Sequence, residues 1–232
     1  ALRLAEEGAT VVVNYVKNSS AAEKIVSTIK SGGKGGAIAI KADVSTVEGG
    51  KQLLDESMKA FGKIDALILN AAVLSMRSLA DIDESQYDTH FSANVKGPLF
   101  TVKHAVDKGM FPPTGGRILF FSSTLTANTS IAPYYLLYTM TKGALEQMSR
   151  ILAKDLASKN ITVNTVSPGP TDTDMFREDK SAELQVIDSI AKWSPFNRLG
   201  EPEEIAAAAA FLVSPGAQWV SGQNLRVNGV RT

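Results

Sequence analysis

Short apolar runs rich in β-branched residues alternate along the chain with longer stretches of helical period. Thr10-Val-Val-Val-Asn14 follows Gly8 and reads as a helix stop leading into a buried strand. Between Ser20 and Ser31, Ala22, Ile25, Val26 and Ile29 fall on one helical stripe, which Gly32-Gly33 ends. Gly36 to Lys41 predicts the next strand. Val47 to Phe61 predicts a helix with Leu53, Leu54, Met58 and Phe61 as its apolar face, and Ile64 to Leu69 a further strand. A helix around Asn94 to Lys108, a strand at Arg117 to Phe121, a long helix from Tyr138 to Ser158 and a strand from Ile161 to Val166 continue the alternation. Glu201 to Val213 is the last predicted helix, with Pro202 in its first turn, and Leu225 to Asn228 a closing strand. Alternation at this spacing predicts an α/β fold: a three-layer, doubly wound parallel sheet, Rossmann-like, in a single domain over residues 1–232.

The 232 residues, 44% hydrophobic, suffice for one large core. Lys+Arg and Asp+Glu each number 24, so there is none of the basic surplus that a nucleic-acid or anionic-membrane partner would require. The absence of cysteine removes disulfides and thiolate chemistry. With His90 and His104 the only histidines, no metal site is expected. No apolar run approaches the roughly 20 residues of a membrane span, and the cysteine-free composition favours a cytoplasmic protein. The opening Ala-Leu-Arg-Leu-Ala-Glu-Glu-Gly8, without an initiator Met, reads as the end of an amphipathic helix, so an N-terminally truncated domain is expected.

Candidate chemistry begins at Tyr138-Thr-Met-Thr-Lys142, where positions i and i+4 share a helix face. A nearby ammonium favours the phenolate and predicts a phenol pKa lowered from near 10 toward the working range. The plainer reading is a buried tyrosine with a solvated lysine. Upstream, the strand Arg117-Ile-Leu-Phe-Phe121 ends in Ser122-Ser123, at the carboxyl edge where open parallel sheets bind ligands. A hydroxyl there could hold a substrate carbonyl or merely cap a turn, and Ser122 remains an alternative to Ser123. Asn94 opens a helix as Asn-Val-Lys-Gly97, as an N-cap or a helix-bend residue.

Together these segments resemble the short-chain dehydrogenase/reductase family, and within it the fungal polyketide ketoreductases and 3-oxoacyl-[acyl-carrier-protein] reductases. Leu69-Asn70-Ala71-Ala72 is similar to the family's Asn-Asn-Ala-Gly segment, with Ala72 where glycine is usual. Asn94, Ser123, Tyr138 and Lys142 resemble its Asn-Ser-Tyr-Lys tetrad in order. Asn164-x-x-x-Pro168-Gly169-x-Thr171-x-Thr173 resembles its Pro-Gly motif. Asn197-Arg-Leu-Gly-Glu-Pro-Glu-Glu204 and Ser221-Gly-Gln-x-Leu-x-Val-x-Gly229 resemble its C-terminal segments.

The resemblance implies that Tyr138 is the acid/base, that Lys142 lowers its pKa and binds the nicotinamide ribose, and that Ser123 holds the substrate oxygen. It also implies that Asn94 anchors a relay water. Asp43 and Val44 would sit at the adenine, and Asn70, Ala71 and Ala72 would line the cofactor. Pro168, Gly169, Thr171 and Thr173 would hold its carboxamide and pyrophosphate side. The first visible strand ends Asn14-Tyr15 with Lys17, Ser19 and Ser20 close behind and no carboxylate, which favours NADP(H) over NAD(H). The resemblance also implies a first strand and a Gly-x-x-x-Gly-x-Gly turn ahead of Ala1, so a sheet without its central strand is expected for residues 1–232.

The expected activity is reduction of a ketone, a 3-oxoacyl thioester or polyketide-like, or the reverse oxidation. A sugar or steroid alcohol dehydrogenase is the alternative, and a catalytically silent dinucleotide-binding scaffold is the alternative of another class. Asp174 to Asn197, with Met175, Phe176, Leu184, Ile187, Trp193 and Phe196, falls where the family keeps its lid. These residues either receive an apolar substrate or pack the lid and subunit contacts. By analogy, a homotetramer or homodimer is expected.

Overall fold

The structure is a computed structural model and describes residues 1–178 and 184–230. Two parallel sheets form. In the first, β1 (Val11–Tyr15) pairs with β2 (Ala37–Lys41), Val11 opposite Ala37 and Tyr15 opposite Lys41. The second runs β3 (Ala66–Leu69), β4 (Gly116–Phe121), β5 (Ile161–Pro168) and β6 (Asn224–Val227) in that order. No ladder joins the two sheets among the described residues.

Helices cover both faces. On one, α3 (Val47–Phe61), α5 (Gly97–Asp107) and α6 (Leu136–Asp155) bring Leu54, Val102, Ala105 and Leu145 against Ile118, Phe120 and Val163. On the other, α9 (Pro202–Val213) packs Ile205, Ala209 and Leu212 on Leu119 and Val166. Successive strand residues face opposite layers, so a strand buried on both sides reads as the unbroken apolar run seen in β4. Phe120 is fully buried, and its truncation to alanine would cost about 3–5 kcal/mol. A third cluster joins α1 (Leu2–Glu6) and α2 (Ser19–Gly32) to the first sheet through Ala5, Val26, Ile29 and Ala37.

The structure corrects three boundaries. Asn94 does not open a helix: α4 (Glu84–Phe91) starts ten residues earlier and runs through a π-helical turn, Ser92–Lys96, into α5. Its cap is Asp83, whose carboxylate accepts from the Gln86 N–H at 2.8 Å. Asn18 caps α2 by accepting from the Ala21 N–H at 3.0 Å, so the helix starts at Ser19 rather than Ser20. Finally, α6 begins at Leu136, which sets Tyr138 in its first turn. Two short helices, α7 (Asp174–Glu178) and α8 (Leu184–Ala191), precede α9. No described helix is long and apolar enough to cross a membrane.

Candidate active site

Parallel register brings the carboxyl ends of four strands to one edge: Leu69 pairs with Phe120, Phe121 with Val166, and Pro168 with Val227. Asn70–Ala72, Ser122–Ser123 and Gly169 therefore emerge from the same side of the sheet, beside the start of α6. Helix spacing puts Tyr138, Lys142 and Glu146 on one stripe facing that edge.

Lys142 is 3% exposed, and its Nζ donates to the Phe121 carbonyl at 2.7 Å. The ammonium lies 5.4 Å from the centre of the Tyr138 ring. Burial lowers its pKa to about 8. The phenol behaves opposite to the expectation from spacing. Burial raises the Tyr138 pKa to about 12, a hydrogen bond from Ser123 opposes this, and Tyr135 adds to the rise. Loss of hydration of the phenolate outweighs the help its neighbours give it.

The two serines separate cleanly. The Ser122 hydroxyl lies 2.7 Å from Glu146 Oε1 and 3.2 Å from the Lys142 carbonyl, so it is committed to α6. Ser123 is the serine beside Tyr138, and its Oγ also accepts from the Leu125 N–H at 3.2 Å. Asn94 is 1% exposed. Its Oδ1 accepts from the Val73 N–H at 2.8 Å, and its Nδ2 donates to the Val73 carbonyl and to Thr141 Oγ1, both at 3.0 Å. The amide thus joins the segment after β3 to α6, with both of its hydrogens used. His90, also buried, holds the same segment two residues on. Its Nε2 accepts from the Ser75 N–H at 3.1 Å, while Nδ1 faces the Gln86 carbonyl at 2.8 Å.

Two glycines permit close approach. A Cβ on Gly97 would stand 2.1 Å from the Val44 carbonyl oxygen, and one on Gly169 2.7 Å from Asn228 Cα. The first lets the Asn94 helix cross the strand end that carries Asp43. The second seats the Pro-Gly turn on the C-terminal strand.

The expected cofactor residues divide between the β1–β2 sheet with its flanks and the β3–β6 edge, with varied engagement. Asn14 donates from Nδ2 to the Ile40 and Ala42 carbonyls at 3.2 and 2.9 Å, which ties β1 to β2. Tyr15 ends β1, and Ser19 is exposed at the start of α2, whose first turn holds no acidic residue. Asp43 is exposed and accepts the Ser45 hydroxyl at 2.6 Å, with Val44 half-buried beside it. Asn70 and Ala71 are exposed and Ala72 half-buried. Pro168 accepts from the Thr124 hydroxyl at 3.1 Å, linking the serine loop to the Pro-Gly turn. Thr171 donates to the Gly169 carbonyl at 2.9 Å, and Thr173 Oγ1 accepts from the Phe176 N–H at 3.3 Å.

The expected lid includes residues 179–183, which lie outside the described residues. Of its apolar members, Met175, Trp193 and Phe196 are 42, 52 and 64% exposed. A cavity of about 230 Å³ opens between Pro170, Ile190, Phe196, Leu199, Ile205 and Val227. Sequence reasoning passed over Glu146 and His90. The i+4 continuation from Lys142 was the available signal for Glu146. Nothing in the sequence pointed to the His90 contact, because Ser75 is distant along the chain.

Known proteins are similar to this chain along nearly its whole length. The family model of enoyl-(acyl carrier protein) reductases matches residues 1–229. Elsinochrome reductase 1 of Elsinoe fawcettii is 36% identical over 99% of this chain and 87% of its own length. Versicolorin reductase 1 of Aspergillus parasiticus is 39% identical over 99% and 89%. Among solved structures, the angucycline C-6 ketoreductase LanV with bound NADP superposes with a TM-score of 0.87. It is 31% identical, over 98% of this chain and 89% of that one. A sheet of this order, a matching family model along nearly the whole chain and such relatives together show that the chain belongs to the short-chain dehydrogenase/reductase family, oxidoreductases that act on carbonyl and alcohol groups.

Proposed function

We propose that this protein is an NADP(H)-dependent reductase of polyketide-like or 3-oxoacyl ketones in which Tyr138 delivers the proton. The observation that carries this reading is a phenol held protonated by burial, beside Ser123 and one helical turn from Lys142. A neutral phenol suits the donor in a reduction, where the carbonyl oxygen gains a proton as it becomes an alcohol. Ser123 steadies the developing charge on that oxygen. The buried Lys142 ammonium has three donors, of which the Phe121 carbonyl takes one, so donors remain for ribose hydroxyls. The cofactor supplies the hydride when bound. Asn94 fixes Val73 and Thr141, leaving one Oδ1 lone pair for a relay water.

For the cofactor, Asp43, Val44, Asn70, Ala71 and Ala72 flank the adenine half, and Pro168, Gly169, Thr171 and Thr173 the nicotinamide half. Preference for NADP(H) is supported by Lys17 and Ser19 at an α2 start free of acidic residues, and by the NADP bound to LanV. Relatives named for elsinochrome and versicolorin, with the exposed Trp193 and Phe196, support an aromatic ketone. Exposed Leu99, Phe100 and Ile151 on α5 and α6, and Phe211, Trp219 and Leu225 near the C-terminus, support a homo-oligomer.

The test is NADPH oxidation by the full-length protein with a bicyclic aromatic ketone (2-tetralone), a 3-oxoacyl thioester and an enoyl thioester. Reduction of the ketones is expected, with Tyr138→Phe lowering kcat by about 10²–10⁴-fold while NADPH affinity stays within about twofold. Activity on the enoyl thioester alone, or an unimpaired Tyr138→Phe, would overturn the reading.

A further inference from the structure

We infer that Glu146 is a positioning residue that sets Ser123 for the reaction, an inference that rests on the reading above. Its carboxylate sits one turn beyond Lys142 on the stripe that carries Tyr138. A single oxygen, Oε1, accepts the Ser122 hydroxyl at 2.7 Å and the Thr126 hydroxyl at 2.6 Å. These two residues bracket Ser123, so one charge on α6 grips the loop on both sides of the serine beside Tyr138. Lys142 adds a third hold one residue upstream, through the Phe121 carbonyl.

Each hydroxyl has one proton and two acceptors in reach. Ser122 can turn to the Lys142 carbonyl at 3.2 Å, and Thr126 to the Ser123 carbonyl at 2.8 Å. In both cases the contact to Glu146 is shorter, as expected for a charged acceptor, which draws the proton from a neutral carbonyl. Without the carboxylate both hydroxyls still find partners, so the fold is retained. What is lost is the tie between Thr126 and α6, since Ser122 stays on α6 through the Lys142 carbonyl while Thr126 falls back on the Ser123 carbonyl within the loop. Ser123 is then held to α6 from its upstream side alone, and displacements near 1 Å cost catalysis about 10²-fold. Glu146 therefore acts on turnover far more than on cofactor binding or stability.

The experiment compares Glu146→Leu, Glu146→Gln, Thr126→Val and Tyr138→Phe in the full-length protein, with NADPH and 2-tetralone as the probe ketone. Glu146→Leu is expected to lower kcat by about 10- to 100-fold with NADPH affinity within about twofold of the parent. Glu146→Gln keeps an acceptor oxygen and is expected to restore kcat to within about fivefold. Thr126→Val should lose part of the same activity, and less than additively in combination with Glu146→Leu. A Glu146→Leu enzyme within twofold of the parent overturns the inference, as does a Glu146→Gln enzyme no better than Glu146→Leu. A fall in kcat matched by an equal fall in NADPH affinity also overturns it. If Glu146→Leu does not fold, the Thr126→Val and Glu146→Gln kcat values decide on the same terms. An active Tyr138→Phe enzyme refutes the underlying mechanism. An inactive Tyr138→Phe beside unaffected Glu146 variants refutes only the positioning role.

Discussion

Lys142 should impose a descending limb on the pH dependence of ketone reduction. Its ammonium is buried, and its pKa is lowered to about 8. A lowered lysine pKa means that the charged form is present below about 8 and lost above it. At pH 7 about nine-tenths of the free enzyme carries the ammonium and at pH 9 about one-tenth, a loss approaching tenfold per further pH unit. Tyr138 does not obscure this limb, because its phenol is held to about 12 and stays protonated throughout. The appropriate parameter is kcat/KM for NADPH at saturating ketone, which reports ionisations of the free enzyme. It should be nearly flat from pH 6 to 7 and fall with a single ionisation near 8. In the reverse direction, alcohol oxidation needs the phenolate, so the Tyr138 contribution should climb by about tenfold per unit across the same range. Lys142→Arg retains a cation that cannot lose its proton in this window, so whatever activity remains should lack the limb. A reductive profile flat to pH 10, or the same limb in Lys142→Arg, would refute the assignment.

Asn94→Leu keeps the volume but strips partners from the Val73 N–H, the Val73 carbonyl and Thr141. It should destabilise by about 3 kcal/mol, read as a drop of about 6–12 °C in thermal midpoint. Gly97→Ala forces a methyl to within 2.1 Å of the Val44 oxygen, a backbone atom with little room to yield. A loss of about 1–3 kcal/mol in denaturant titration is expected, and an unchanged midpoint would contradict the close approach. Tyr15→Asp places a carboxylate at the end of β1, where repulsion of a 2′-phosphate of about 1–4 kcal/mol should weaken NADPH at least about fivefold relative to NADH in a fluorescence titration.

The order of strands and helices and the identity of the chemical groups were legible in the sequence. Ser122-Ser123 closes an unbroken apolar run and Tyr138-x-x-x-Lys142 begins a long amphipathic helix. Local periodicity determines such placements because burial on one face or two is written residue by residue. The α4 start was legible too, in Asp83 with a polar first turn behind it, but the weak apolar stripe of α4 hid it. Other features belong to the tertiary structure alone. Which serine meets Tyr138 depends on where α6 docks, because adjacent residues of an extended chain face different neighbours. The raised phenol is likewise invisible to spacing. The i+4 rule brings an ammonium near the ring, but the pKa follows the sum of desolvation and every neighbour, and here burial dominates. Asn94 and Glu146 acquire their partners across long stretches of sequence, from Val73 and Thr141 in one case and from Ser122 and Thr126 in the other. Hydrogen bonds between distant segments carry no periodic signature in the chain, so they exist only once the layers have packed.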